Sequence, residues 1–176
     1  MDDADLVKAF RCGDRSAFSA LVKKHAKPLT MMLLKILRDP EEAKDVSQTA
    51  FLKAYEGLPH FMSASSFKTW LYKIALNAAR DQLRKAKPTF VPEVADRLVD
   101  PAEPPGERLD KERYLERMRL AIDELPEKQR LTLQLRVYEE LDYREIAKIL
   151  GGTASGARAN FFQATRTLRE KLRPLK

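Results

Sequence analysis

Apolar residues in this chain recur every three or four positions. Phe18, Leu21, Val22, His25, Leu29, Met32, Leu33 and Ile36 trace a single stripe, because 3.6 residues per turn bring such positions to one side of a helix. Strand-like alternation is nearly absent, and helix punctuation is dense. Gly13 suits the end of a first helix and Asp14 the cap of a second, which Pro28 is expected to kink. Asp39-Pro40-Glu41-Glu42 reads as the cap, first-turn proline and first-turn acids of a third helix that stops at Gly57. The spacing predicts a fourth from about Ser66 to Ala86, with Phe67, Trp70, Leu71, Ile74 and Ala78 as its apolar face. Four such helices make one small bundle. His25, on the apolar stripe, reads as a packed core residue rather than a ligand.

Residues 88–112 change character. Five of the ten prolines fall there, with seven acids against three bases, the composition of a flexible acidic linker. Periodicity resumes with Leu115, Met118, Ile122 and Leu125. Pro126 then opens another helix, and Asp142 with Glu145 forms a capping box ahead of Ile146, Ile149 and Leu150. The expected fold is all-α: two small helical domains, residues 1–87 and 113–176, joined by that linker.

At 176 residues and 44% hydrophobic content, the chain can supply cores for both domains. An excess of 33 Lys and Arg over 26 Asp and Glu leaves +7, which favours a polyanionic partner, either nucleic acid or an anionic membrane surface. No apolar run approaches the roughly 18 residues of a membrane span. The first dozen residues, MDDADLVKAFRC, are acidic and amphipathic, unlike a signal peptide, so the expected location is the cytosol, without membrane insertion. Cys12 is the single cysteine, and His25 and His60 are the only histidines. This excludes an internal disulfide and argues against a metal site or redox chemistry. No cofactor is expected.

The stretch Gly151-Gly-Thr-Ala-Ser-Gly-Ala-Arg158 raises two readings. A phosphate-binding loop needs a preceding strand, and Lys then Ser or Thr directly after its last glycine. Here a short amphipathic helix precedes, and Ala157 and Arg158 follow Gly156. The turn reading explains more: Gly151 ends one helix, Thr153 caps the next, and the spacing is that of a helix-turn-helix. In the helix from about Ala154 to Leu172, Ala157, Phe161, Ala164 and Leu168 form the inner face. Ser155, Arg158, Ala159, Phe162 and Arg166 point elsewhere. Arg158 can donate twice to a guanine edge, Phe162 can either meet a thymine methyl or pack on the first domain or the preceding helix, and Arg166 and Arg169 suit phosphates.

A second cationic face lies on the fourth helix, where Lys73, Asn77, Arg80, Arg84 and Lys87 fall at alternating intervals of four and three. Between Ser66 and Lys87 six bases face one acid, an arrangement suited to an anionic strand, although a solvated surface is the plainer alternative. The preceding loop His60-Phe-Met-Ser-Ala-Ser65 has the polar and aromatic residues to hold an unstacked base. Trp70, on the apolar face, reads as core.

In this order, GDRSAFSALVKKH, DPEEAKDVSQTAFLKAY, SFKTWLYKIALNAARDQLRK, ELPEKQRLTLQLR, YREIAKILG and TLREKL resemble the extracytoplasmic-function (ECF) sigma factors of bacterial RNA polymerase, across nearly the whole chain. The resemblance implies a non-catalytic subunit with no catalytic residues. Its region 2 (1–87) would bind the clamp of core polymerase and open the −10 element, and its region 4 (113–176) would meet the flap and read the −35 element. It further implies clamp binding by Asp45, Gln48, Phe51 and Leu52, with core packing as the alternative for Phe51. The −10 functions would fall on His60, Phe61, Ser63, Lys73, Asn77, Arg80, Arg84 and Lys87. The −35 contacts would fall on Arg136, Tyr143, Ser155, Arg158, Ala159, Phe162 and Arg166. An anti-sigma factor is the expected regulator, the more so because no further domain is expected after Leu172, and it could hold the protein at a membrane. The chain departs from the resemblance in Thr153–Asn160: Gly156 replaces a helix-compatible Thr, at about half to one kcal/mol, and Ala159 and Asn160 replace a polar and a basic residue. The rival reading is a helix-turn-helix repressor or activator that binds duplex DNA alone.

Overall fold

The computed structural model describes residues 2–62, 65–85 and 105–173. It contains two compact units, each helical, and no strand among the described residues. The first contains α1 (Asp3–Arg11), α2 (Ser16–Leu37), α3 (Pro40–Gly57) and α4 (Phe67–Lys85), with a 3₁₀ turn at Leu58–His60 after α3. Gly13 takes φ 101°, a left-handed value open to glycine. The Asp14 carboxylate accepts the Ser16 N–H and hydroxyl, so it serves the start of α2 although Arg15 occupies the cap position. Pro28 lies inside α2, which continues through it as a helix. Asp39 caps α3 by accepting the Glu42 N–H at 2.8 Å, with Pro40 in the first turn.

α3 packs against both α2 and α4. It presents Ala43, Ser47, Ala50 and Ala54, all buried, small enough to let both neighbours approach closely. Leu21, Leu29 and Leu33 from α2 and Leu71, Tyr72 and Leu76 from α4 fill the remaining interior. α1 is tied to α2 by one carboxylate: Asp3 accepts from Lys24 Nζ at 2.7 Å and from His25 Nε2 at 2.9 Å. His25 is buried beside the Phe67 ring. Burial pushes its imidazole below the usual range, against the pull of Asp3. For Asp3, burial acts upward and the bonds from Lys24 and His25 outweigh it, so the carboxyl sits below its ordinary value. At neutral pH a neutral ring therefore donates to an ionised carboxylate.

The second unit comprises α5 (Pro105–Asp123), α6 (Glu127–Val137), α7 (Tyr143–Leu150) and α8 (Ala154–Lys171). α5 begins inside the segment expected as linker, at Pro105, a proline at a helix start, with the good helix formers Glu107, Arg108 and Leu109 after Gly106; residues 88–104 lie outside the described residues. Leu125, Leu133 and Ala164 form the centre, with Ile122, Phe161 and Leu168 packed around them. α7 starts on the full capping box: Asp142 accepts the Arg144 and Glu145 N–H groups, and Glu145 reaches back to the Asp142 N–H. The Glu145 N–H bond leads in holding Asp142 below the usual carboxylate range.

Two predictions follow from the first unit's packing. Below about pH 6.5 the unfolded chain takes up a proton at His25 that the folded state resists. Stability of this unit should therefore fall on acidification from pH 7 to 5, by up to about 1.4 kcal/mol per pH unit for this group; thermal melts of the wild type and His25→Gln should diverge in that window, the variant losing less. At Gly57, a Cβ would lie 3.1 Å from Cζ2 of the rigid Trp70 indole. Gly57→Ala should thus destabilise by about 1 kcal/mol despite its better helix propensity, read as a lower denaturant midpoint.

Candidate nucleic-acid and polymerase interface

The glycine stretch is a turn between helices. Gly151 and Gly152 take φ 74° and 127°, and Thr153 Oγ1 accepts the Gly156 N–H at 3.0 Å to start α8. A Cβ on Gly156 would stand 3.3 Å from that same hydroxyl, so the missing side chain leaves the cap uncrowded. α8 then divides as its periodicity predicts. Ala157 and Ala164 are buried and Phe161 and Leu168 half-buried, while Ser155, Arg158, Ala159 and Arg166 are exposed and Phe162 is 65% exposed. At that exposure Phe162 is not buried within its own unit.

Tyr143, at the start of α7, is a platform for two cations. The Arg136 and Arg158 guanidiniums lie 5.2 and 5.4 Å from its ring centroid, within cation–π range. Arg136 is half-buried and donates to the Leu141 carbonyl at 2.9 Å. Arg158 is left exposed, with its head held over the ring. The same ring leans on Phe161 at 6.1 Å, coupling the platform to the core. Arg166 pairs with Glu170 across one turn at 3.1 Å, a solvent-exposed contact that an anion can displace.

In the first unit, Lys73, Asn77 and Arg84 are exposed along α4, and Arg80 is half-buried on the same stripe. Arg84 forms an exposed ion pair with Asp81. Ser63 and Lys87 lie outside the described residues. His60 is exposed, but Phe61, expected to meet a base, is 7% exposed, its ring 4.8 Å from that of Trp70. This corrects the expectation: Leu58 and Phe61, three apart, both turn inward, and the outward positions are Pro59, His60 and Met62, the last 87% exposed. Sequence reasoning missed Met62, although the Leu58–Phe61 interval was the available signal. On α3, Asp45, Gln48 and Leu52 share the outer face, with Leu52 68% exposed. Phe51 is 8% exposed and meets Phe18 edge-on at 6.5 Å. It adjoins the Ser47–Ala54 inner seam, in keeping with core packing, the alternative expected for it. Tyr55, packed on Phe10 and Phe18, supplies exposed aromatic area instead.

The Sigma-70 region 2 family matches residues 21–89, and the Sigma-70, region 4 family matches residues 115–168. The RNA polymerase sigma-H factor of Pseudomonas aeruginosa is 32% identical, covering 98% of this chain and 95% of its own. The ECF RNA polymerase sigma-E factor of Haemophilus influenzae is also 32% identical, covering 99% and 97%. The chain belongs to the ECF sigma factors of the sigma-70 family. A sigma factor is a non-catalytic specificity subunit that directs core RNA polymerase to promoters, so the phosphate-loop reading and the stand-alone repressor both fall. The fold agrees with solved structures: the complex of CnrH with the cytosolic domain of CnrY has a TM-score of 0.73 at 23% identity, covering 97% of this chain and 96% of that one. The RpoE–NepR complex of Bartonella quintana gives 0.68 at 20% identity, covering 90% and 98%. Among the described residues of this sigma factor, no helix is long and apolar enough to cross a membrane.

The Tyr143 platform predicts a stability signature. Tyr143→Leu should cost the region 4 unit about 1–2 kcal/mol through two lost cation–π contacts, whereas Tyr143→Phe, which keeps the ring face, should cost under about 0.5 kcal/mol, both read by urea denaturation.

Proposed function

We propose a residue-level division of labour for this sigma factor. Residues 1–87 form region 2, residues 88–112 the linker and residues 113–176 region 4. Asp45, Gln48 and Leu52 dock on the polymerase clamp, the acid supplying charge and the leucine apolar contact, and region 4 meets the flap. His60 and Met62 hold the opened −10 strand while Lys73, Asn77, Arg80 and Arg84 track its phosphates. Arg158 and Phe162 read the −35 major groove, supported by Tyr143 and Arg136, with Ser155, Ala159 and Arg166 alongside. The observation that carries this is the exposed Arg158–Phe162 pair on the second helix of a capped helix-turn-helix. An anti-sigma factor controls the protein in the cytoplasm, and a membrane-anchored one would hold it at the membrane. The RpoE of Bartonella quintana is bound by the anti-sigma factor NepR in the structure of similar fold, and co-purification of the native protein tests for such a partner here.

Transcription with core polymerase on a promoter library checks the assignment. Arg158→Ala should lose about 1–3 kcal/mol of discrimination at one −35 position, roughly a five- to 150-fold preference. Arg84→Ala should weaken opening evenly across promoters and lower the salt slope by about one. Unchanged initiation in both variants would overturn the assignment of the two faces.

A further inference from the structure

The last turn of α1 reaches a loop some fifty residues away in sequence. One terminal nitrogen of Arg11 donates to the carbonyl of Pro59 at 3.1 Å and to that of Phe61 at 2.6 Å, so the guanidinium brackets His60. The turn is closed by the Phe61 N–H to the Leu58 carbonyl at 3.2 Å. Leu58 is buried, and the Phe61 ring is buried against Trp70. Two inward side chains thus hold the loop from beneath, while a cation holds its carbonyls from the side. Pro59, His60 and Met62 are exposed, and of these His60 and Met62 carry the side chains that can meet a base. Hydrogen bonds from a charged donor are shorter and stronger than neutral ones, and two from a single guanidinium fix direction as well as distance. α1 is itself fixed to α2 through Asp3, Lys24 and His25, so the anchor does not drift with a frayed terminus.

We propose that Arg11 is a positioning residue for promoter opening: it sets the angle at which His60 and Met62 meet an unpaired base, without touching DNA itself. This rests on the reading that the 60–62 loop contacts the −10 strand. A bracketed backbone loses fewer conformations on binding, and small displacements of a positioned group are costly. Such a residue controls which base is preferred more than how tightly any DNA is held.

The experiment uses the full chain with core polymerase, on promoters carrying each base in turn at every −10 position over a constant −35 element. The variants are Arg11→Met, Arg11→Lys and the double loop-tip variant His60→Ala with Met62→Ala. The loop-tip variant should lose preference at one or two −10 positions. Arg11→Met should flatten preference at those same positions by about tenfold, with core binding and the −35 preference unchanged. Arg11→Lys, whose ammonium can still reach a carbonyl, should fold and fall between wild type and Arg11→Met. If the loop-tip variant keeps its −10 preference, the reading of the loop fails and the proposal with it. If the loop tip matters but Arg11→Met retains the wild-type profile, the positioning role alone is wrong. An equal loss on every promoter, matched by a lower salt slope, would instead make Arg11 a phosphate contact and overturn the proposal.

Discussion

The small-residue seam of α3 governs the first unit. Ala43, Ser47, Ala50 and Ala54 let α2 and α4 close on the helix from two sides, and close packing is what dispersion and apolar burial reward. Once that face is committed inward, helical geometry turns Asp45, Gln48 and Leu52 outward. The same constraint operates on α4, whose buried Leu71, Tyr72 and Leu76 leave Lys73, Asn77 and Arg84 to solvent. The surfaces proposed here to meet polymerase and DNA are thus the remainder of the packing.

In the second unit the equivalent constraint is hydrogen-bond satisfaction at helix starts. Asp142 and Thr153 supply acceptors to the otherwise orphaned N–H groups of α7 and α8. They fix where each helix begins and therefore which residues of α8 look outward. Tyr143, the first residue of α7, then gathers Arg136 and Arg158 over its ring. A cation on a long, flexible stem becomes a group with a defined place.

Much of this was legible in the sequence. The interval of three and four predicted the inner and outer faces of α8, and Asp39-Pro40 and the Asp142–Glu145 box predicted helix starts to the residue. The lapses fall where neighbours in space outweigh neighbours in sequence. Phe61 looked like a base-stacking residue, but Trp70 offers it a ring and the fold encloses it. Phe51 sits beside the exposed Leu52 in the chain, yet Phe18 covers it. Gly156, which propensity alone marks as a defect, lies against the capping hydroxyl of Thr153.

By itself the sequence determined the all-helical class, the helix starts, the excess of positive charge and the faces on which that charge would lie, because these follow from periodicity and local capping. Only the tertiary structure decided which aromatics are spent on the core, that Tyr143 orders two arginines, and that Arg11 brackets His60. The physical reason is common to all three. Each depends on a contact between residues brought together by packing rather than by spacing along one helix, and burial or a shared hydrogen bond across that gap leaves no periodic trace in the chain.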